Sequence, residues 1–293
     1  MNRLKILGIG INTMDIYRHE RKMYPGGNEF NIAYHAASFG AHAAFMGVFS
    51  RTDPLSGILY HTLEEIGVDL SHSRFEEGTS GFAVIDLVDG DRKFVDWNKK
   101  SVTDLHPFLF TASELQYIKD FDVVCMSRCS RVDNEKVCWL ARQGAVISYD
   151  FCDDYTEEDI KSLSPCLKLA FVSGSHLQEK QVKELLREIV KRGTGTAVAT
   201  RGAESSIAYD GQKYVYQPCV KVKAVDTMGA GDSFISRFLV TYLTNQEKEL
   251  GISLYDAAKF AAKTVQKRGS LGIGYDLTEE QMERLFRQIG GSV

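Results

Sequence analysis

Short apolar runs alternate with amphipathic stretches along most of the chain. An apolar run at 5–11 predicts a buried strand, and helical spacing at 28–39 predicts a helix that ends at Gly40. A strand at 42–49 and a helix at 55–66 follow, and the alternation resumes between residues 123 and 200. This pattern predicts a parallel sheet with helices on both faces. Further helices are predicted at 230–243, 254–268 and 278–287.

Two stretches interrupt the alternation. Residues 82–88 and 93–98 flank the turn sequence at 89–92 and predict an antiparallel hairpin with apolar residues on both faces. Residues 12–24 are too few and too irregular for a crossover helix. We therefore expect a single domain over 1–293, in which segments at about 12–25 and 82–98 form a small β-lid over the α/β body.

Charge and composition exclude several classes of protein. The chain has 35 basic and 39 acidic residues, a net charge of −4, which argues against a nucleic-acid partner. No apolar run approaches the ~20 residues that span a bilayer, and the opening residues lack the apolar stretch of a signal peptide. We expect a cytoplasmic protein with no membrane partner. Its six cysteines include no C-x-x-C pair and are predicted to be reduced thiols.

The segment 226–234, DTMGAGDSF, stands directly before an apolar helix and is the strongest candidate for chemistry. Gly229 and Gly231 flank Ala230, so backbone N–H groups at the helix start can bind negative charge developing on a phosphoryl group. Asp232 falls in the first helical turn, where its carboxylate can take a proton from a hydroxyl nucleophile. The alternative, that Asp232 only caps the helix, is weakened by the whole segment and by the long helix after it.

This segment resembles the C-terminal signature of the ribokinase-like (PfkB) carbohydrate kinases. A second stretch, GGNEFNIA at 26–33 with Gly40 and Gly47, resembles the N-terminal signature in the expected order. The resemblance covers essentially the whole chain. It implies a ribokinase-like three-layer α/β sandwich with a central, mostly parallel sheet and a small β-lid, and ATP-dependent phosphorylation of a sugar hydroxyl with Mg²⁺. A monovalent cation near Asp226 and a homodimer formed through the lid are left open.

The resemblance also assigns a substrate site. Gly26, Gly27 and Asn31 belong to it in the family, and Asn28 also fits the cap of the following helix. Asn12 and Asp15 match positions that hold sugar hydroxyls. Both follow the first strand, and the carboxyl ends of strands are where open α/β sheets bind ligands.

The residues predicted to bind the nucleotide belong to weaker motifs. Thr200 and Gly202 match a Thr-x-Gly loop that contacts nucleotide phosphates, and Lys263 lies where the family has its adenine-side helix. The family's Asn-x-x-Glu motif, which places Mg²⁺ through water, is altered here. Serine replaces the asparagine, and Glu179 is the displaced acid that could still order the metal.

Three alternative functions have some support in the sequence. A dinucleotide-binding motif at 8–13 fails because Thr13 replaces its third glycine. A sugar- or nucleotide-sensing protein on a kinase fold is disfavoured because it would not need Asp232. Within the family, several short segments of this sequence resemble those of the fructoselysine 6-kinases: 12–17, 26–28, 150–153, 228 and 261–266. This resemblance implies transfer to the 6-hydroxyl of fructose carried on an amine. A kinase of a plain sugar (fructose, ribose or 2-keto-3-deoxygluconate) or of a nucleoside is the alternative.

Overall fold

The computed structural model describes residues 3–88, 91–245, 247 and 249–289. Its strands are β1 (Lys5–Ile9), β2 (Thr13–Tyr17), β3 (Lys22–Gly26), β4 (His42–Met46), β5 (Val48–Ser50), β6 (Arg74–Glu76), β7 (Gly81–Val88), β8 (Asp91–Trp97), β9 (Val123–Ser127), β10 (Ile147–Asp150), β11 (Leu169–Ser173), β12 (Thr196–Thr200), β13 (Ser205–Tyr209), β14 (Tyr214–Pro218) and β15 (Tyr275–Asp276).

The helices are α1 (Asn28–Ser38), α2 (Pro54–Glu65), α3 (Val102–Leu105), α4 (Ala112–Lys119), α5 (Asn134–Arg142), α6 (Glu157–Leu163), α7 (Glu179–Lys191), α8 (Ala230–Thr244), α9 (Leu250–Thr264) and α10 (Glu279–Gln288), with a 3₁₀ turn at Ser164–Cys166. None of these described helices is both long and apolar enough to cross a membrane.

The main sheet is mostly parallel, as the alternating pattern predicts. Within the described residues it has eight strands in the order β14-β13-β12-β11-β10-β9-β1-β4, and only β13 runs opposite to the others. Neighbouring residues of a strand enter different cores: Ile6 joins the core under α1, α2, α8 and α9, whereas Leu7 joins the core under α5, α6 and α7. The three-layer sandwich is therefore confirmed.

A second sheet covers the carboxyl end of β1. Its order is β15-β3-β2-β7-β8, and we call this sheet the lid. Its apolar residues also divide between two faces. Phe82 and Val84 pack into the core of the α/β body, while Ala83 and Ile85 pack around Met228. The irregular segment at 12–24 is thus the hairpin of β2 and β3.

The expectation of six reduced cysteines is wrong for two of them. Cys138 in α5 and Cys166 in the 3₁₀ turn form a disulfide, with their Cα atoms 5.2 Å apart. The two residues are 28 positions apart and meet because α5 packs against this turn, which cysteine spacing alone does not reveal. The thiols that are free are those of Cys125, Cys129, Cys152 and Cys219.

Candidate active site

Asp232 lies in the first turn of α8 and faces the start of α1. Asn31 donates from Nδ2 to one carboxylate oxygen at 2.7 Å, and Asn28 donates from Nδ2 to the other at 3.3 Å. Asn28 therefore contacts Asp232 and does not cap α1, whose N-cap is Gly27. Burial raises the pKa of Asp232 to about 7, against the opposing hydrogen bond from Asn31. A positioned carboxylate that ionises near neutral pH can accept a proton from a hydroxyl.

The glycines before and within α8 face different surroundings. Gly229 has a φ of 70°, and a Cβ there would lie 2.4 Å from Cβ of Ser270, so glycine is required. A Cβ on Gly231 would meet nothing within 4 Å. The start of α8 is thus packed against Ser270 on one side and open at Gly231. First-turn N–H groups have no acceptor inside their own helix, so this open side can bind an anion.

Asp226 connects the lid with the glycine turn. Its carboxylate accepts hydrogen bonds from the Tyr17 hydroxyl at 2.7 Å, from the Gly269 N–H at 2.7 Å and from the Met228 N–H at 2.9 Å. A carboxylate has about four lone-pair positions, and three of them already face donors. At most one position of this carboxylate is left for a monovalent cation, and no step is assigned to one.

Asp15 on β2 and Gly26 on β3 are close neighbours on adjacent strands of the lid. A Cβ on Gly26 would come 2.7 Å from Oδ2 of Asp15, so this glycine leaves room for the carboxylate. Burial, followed by the charges of Asp226 and Asp232, raises the pKa of Asp15 to about 8. Asp15 is 3% exposed, so a ligand that enters the site could hydrogen-bond its carboxyl group away from bulk water.

The other predicted substrate residues surround the same space. A Cβ on Gly27 would lie 2.5 Å from the Ile11 carbonyl oxygen, so glycine lets α1 begin directly against the end of β1. Oδ1 of Asn31 accepts from the Ser270 hydroxyl at 3.0 Å. Asn12 donates to the Val48 carbonyl at 3.1 Å, while its own Oδ1 is buried and has no hydrogen-bond partner among the described residues. That oxygen can accept from a substrate hydroxyl.

Arg92, which was not predicted from the sequence, brings a positive charge to this acidic site. Its backbone N–H lies 3.3 Å from Oγ1 of Thr227, and its Nη1 lies 3.3 Å from the Thr227 carbonyl oxygen. Thr227 donates in turn to Asp91 at 2.7 Å, so β8 is closed onto the 226–234 segment. The charge of Arg92 lowers the pKa of both Asp15 and Asp232, against the larger effect of their burial. An arginine in a polar hairpin otherwise indicates only a solvated turn.

The structure does not bring the predicted nucleotide-side residues into contact with Asp232. Thr200 ends β12, Gly202 follows with a φ of 55°, and both lie at the carboxyl edge of the main sheet. Lys263 is exposed on α9. Glu179 is exposed at the start of α7, where Nζ of Lys183 lies 2.9 Å from its carboxylate. The roles of these four residues stay predictions.

A dedicated metal cage is not found in the described part of the chain, where no three His, Cys, Asp or Glu side chains converge. Mg²⁺ in phosphoryl-transfer sites is held mainly by phosphates and water, with one or two carboxylates. Asp150 fits such a role because it ends β10 and its charge raises the pKa of Asp232. Burial raises the pKa of Asp150 itself to about 6, so it is ionised at neutral pH.

Similarity to known proteins agrees with this geometry. Fructosamine kinase FrlD of Bacillus subtilis is 31% identical over 275 residues, which cover 93% of this chain and 94% of that protein. Fructoselysine 6-kinase of Escherichia coli is 30% identical over 262 residues, which cover 89% of this chain and 97% of that protein. The structure of Arabidopsis thaliana ribokinase complexed with ribose and ATP superposes with a TM-score of 0.76 at 16% identity, covering 97% of this chain and 99% of that one. Residues 7–273 match the model of the pfkB family carbohydrate kinases. The expected fold and enzyme class are confirmed, and the chain belongs to the pfkB family of carbohydrate kinases.

Proposed function

We propose that this carbohydrate kinase transfers the γ-phosphoryl group of ATP to the 6-hydroxyl of a fructosamine, such as fructoselysine. The observation that carries the proposal is the set of buried carboxylates under the lid. Asp15, Glu29 and Asp232 all have pKa values raised to about 7 or 8 by burial. A cationic ligand would stabilise the ionised forms of these acids, and the substituted nitrogen of a fructosamine is cationic at neutral pH.

In the proposed reaction Asp232 takes the proton of the 6-hydroxyl, aided by Asn31 and Asn28, which hold its carboxylate in place. The N–H groups at the start of α8 and the guanidinium of Arg92 stabilise the charge on the transferring phosphoryl group. Mg²⁺, when bound with ATP, neutralises phosphate charge, and Asp150 and Glu179 are the residues proposed to hold it through water.

The sugar itself is proposed to lie between the lid and the end of β1. Asn12, Asp15 and Asn31 hydrogen-bond its hydroxyls, while Gly26 and Gly27 allow the backbone to approach it closely. All three polar side chains are at most 3% exposed, so the closed site excludes water around the reacting groups. Thr200, Gly202 and Lys263 are proposed to contact the nucleotide.

Substrate specificity is tested by measuring ATP consumption with fructoselysine, other fructosamines, fructose, ribose, 2-keto-3-deoxygluconate and adenosine. We expect kcat/KM for a fructosamine to exceed that for every neutral acceptor by about tenfold or more, since a hydrogen bond to a charged group contributes roughly 1.5–3 kcal/mol. Preference for a free sugar or nucleoside would contradict the proposed substrate and leave the kinase class intact. Sugar binding without ATP turnover would support a sensor.

We also infer that the edge of the lid forms a homodimer contact. β8 is the last strand of the lid sheet, and it exposes Phe94, Val95 and Trp97. An unpaired edge strand with apolar side chains is suited to pairing with a second copy. Sedimentation equilibrium should give a dimer for the wild type and a monomer for Trp97→Glu; a monomeric wild type would contradict the inference.

A further inference from the structure

Glu29 is a fully buried acid at the floor of the site, and no motif assigns it a role. It is the second residue of α1, and its carboxylate lies over the carboxyl end of β1. The Ile11 N–H donates to Oε2 at 3.3 Å, and a Cβ on Gly10 would lie 2.1 Å from the same oxygen. Gly10 therefore leaves the space that this carboxylate fills.

The second oxygen of this carboxylate lacks a partner. Oε1 of Glu29 is buried and has no hydrogen-bond partner among the described residues, and the same holds for Oδ1 of Asn12 at the end of β1. A buried polar atom left without a hydrogen-bond partner is unfavourable, whether the acid is ionised or protonated. Two such atoms beside one strand end indicate that a ligand supplies the missing partners.

The surroundings of Glu29 contain no balancing charge. Burial raises the pKa of Glu29 to about 8, and the Ser127 side chain opposes this shift; it approaches the carboxyl group without meeting the geometry of a full hydrogen bond. The charges of Cys129, which follows β9, and of Asp232 on α8 raise its pKa further. Cys125 on β9 and Tyr149 on β10 also feel the charge of Glu29. None of these neighbours, all from the described residues, is basic.

Glu29 and Asp232 have separate hydrogen-bond partners, so each can contact a different part of one substrate. The two carboxyl groups influence each other electrostatically but share no hydrogen bond, and Asn28 and Asn31 donate to Asp232 alone. In a fructosamine the nitrogen is attached at carbon 1, opposite the 6-hydroxyl. A sugar whose 6-hydroxyl reaches Asp232 directs its nitrogen away from that residue.

We propose that Glu29 binds the ammonium nitrogen of the substrate and thereby selects fructosamines over neutral sugars. This inference rests on the proposed function and adds the residue responsible. A carboxylate is the best acceptor for an ammonium because the hydrogen bond is charge-assisted. Asn12, which is neutral, is left to accept from a hydroxyl.

The test compares Glu29→Gln with wild type on three acceptors: fructoselysine, its analogue with the linking nitrogen acylated and therefore neutral, and fructose. We expect the kcat/KM ratio of fructoselysine to each neutral acceptor to fall about 10- to 100-fold. Glu64→Gln is the matched control, since Glu64 is exposed on α2 beside His61, and it should leave the ratio unchanged. An unchanged ratio in folded Glu29→Gln would overturn the proposal.

A measurement on wild-type protein keeps the test decisive if the variant does not fold. At pH 7 Glu29 is largely protonated, so binding an ammonium should release up to one proton, whereas binding fructose should release none from this residue. Calorimetry in buffers of different ionisation enthalpy measures this difference. Equal proton release with both ligands overturns the role of Glu29, even if fructosamines are the substrates. A wild type that prefers neutral sugars overturns the proposed function, and this inference with it.

Discussion

Replacing Asp232 with asparagine should remove activity while making the protein more stable at alkaline pH. Asparagine keeps the shape, and its amide oxygen can still accept the 2.7 Å hydrogen bond from Asn31, but it cannot take a proton. We expect kcat to fall by about 10²–10⁴. ATP affinity should change little, because the start of α8 and its N–H groups are retained.

The stability gain follows from the raised pKa. Asp232 ionises at about 7 in the folded protein, against an ordinary value of 3.8. Folding therefore becomes less favourable as pH rises from about 4 to 7, by at most about 4 kcal/mol for this group. Asp232→Asn removes that loss, so its free energy of unfolding should equal that of wild type near pH 4 and exceed it at pH 8.

Asp256→Asn is the matched control. Asp256 lies on α9 and accepts from Arg237 at 2.8 Å and from Thr241 at 3.1 Å, away from the site. This control should lose stability and keep kcat, the reverse of Asp232→Asn. Rapid-quench measurement of product and urea unfolding at pH 4 and pH 8 supply both quantities. An Asp232→Asn variant within a few-fold of wild-type kcat, or one less stable at pH 8, would refute the reasoning.

Four further predictions concern the lid and the anion site. Gly231→Val should keep the melting temperature of the wild type, because a Cβ there meets nothing within 4 Å. Its kcat should fall at least about 100-fold, and normal turnover would contradict the proposed anion pocket. Sugar plus nucleotide should slow amide exchange at 82–88 and 91–98, measured by mass spectrometry, since closure excludes water; indifferent exchange would contradict lid closure. Arg92→Ala should lower kcat about 100-fold, and Arg92→Lys should recover part of this loss. A kcat of Arg92→Ala equal to that of the wild type would show that Arg92 takes no part in the reaction. Replacing potassium with tetramethylammonium should change turnover less than twofold in a coupled assay, because three donors already face Asp226; a tenfold drop would contradict that.

Much of the α/β body was predictable because its periodicity is simple. The helix expected at 28–39 is α1, and the helix expected at 230–243 is α8, each within one residue at its end. Their motifs also placed Asn31 and Asp232 in one site, and the two side chains are hydrogen-bonded. Local signals suffice where a long element carries both the fold and the chemistry.

The lid was harder to predict because its buried polar residues belong to the candidate active site and not to the hydrophobic core. Asp15 interrupts the apolar pattern of β2, so this strand appeared irregular in the sequence, although its neighbours Met14 and Ile16 are fully buried. Helices as short as α3, with four residues, likewise give too little periodicity to detect.

The contacts of Tyr17 and Arg92 depend on tertiary structure alone. Tyr17 reaches Asp226 across 209 positions, and Arg92 reaches Thr227 across 135. In sequence each is an ordinary residue of a short strand or turn. Their roles become visible only when the lid sheet is positioned over the start of α8.

The hydrogen bond between Asn31 and Ser270 has a consequence for how the protein is made. These residues are 239 positions apart, and the loop after α9 that carries Ser270 also supports Gly229 and Asp226. At roughly 5–20 residues per second, the start of α1 waits about 12–48 s for this last support to be synthesised. For most of its translation, the nascent chain therefore carries the acids that are buried in the folded protein without a closed site around them. Premature termination near residue 265 should leave a chain that retains most of the main sheet and fails to assemble the site.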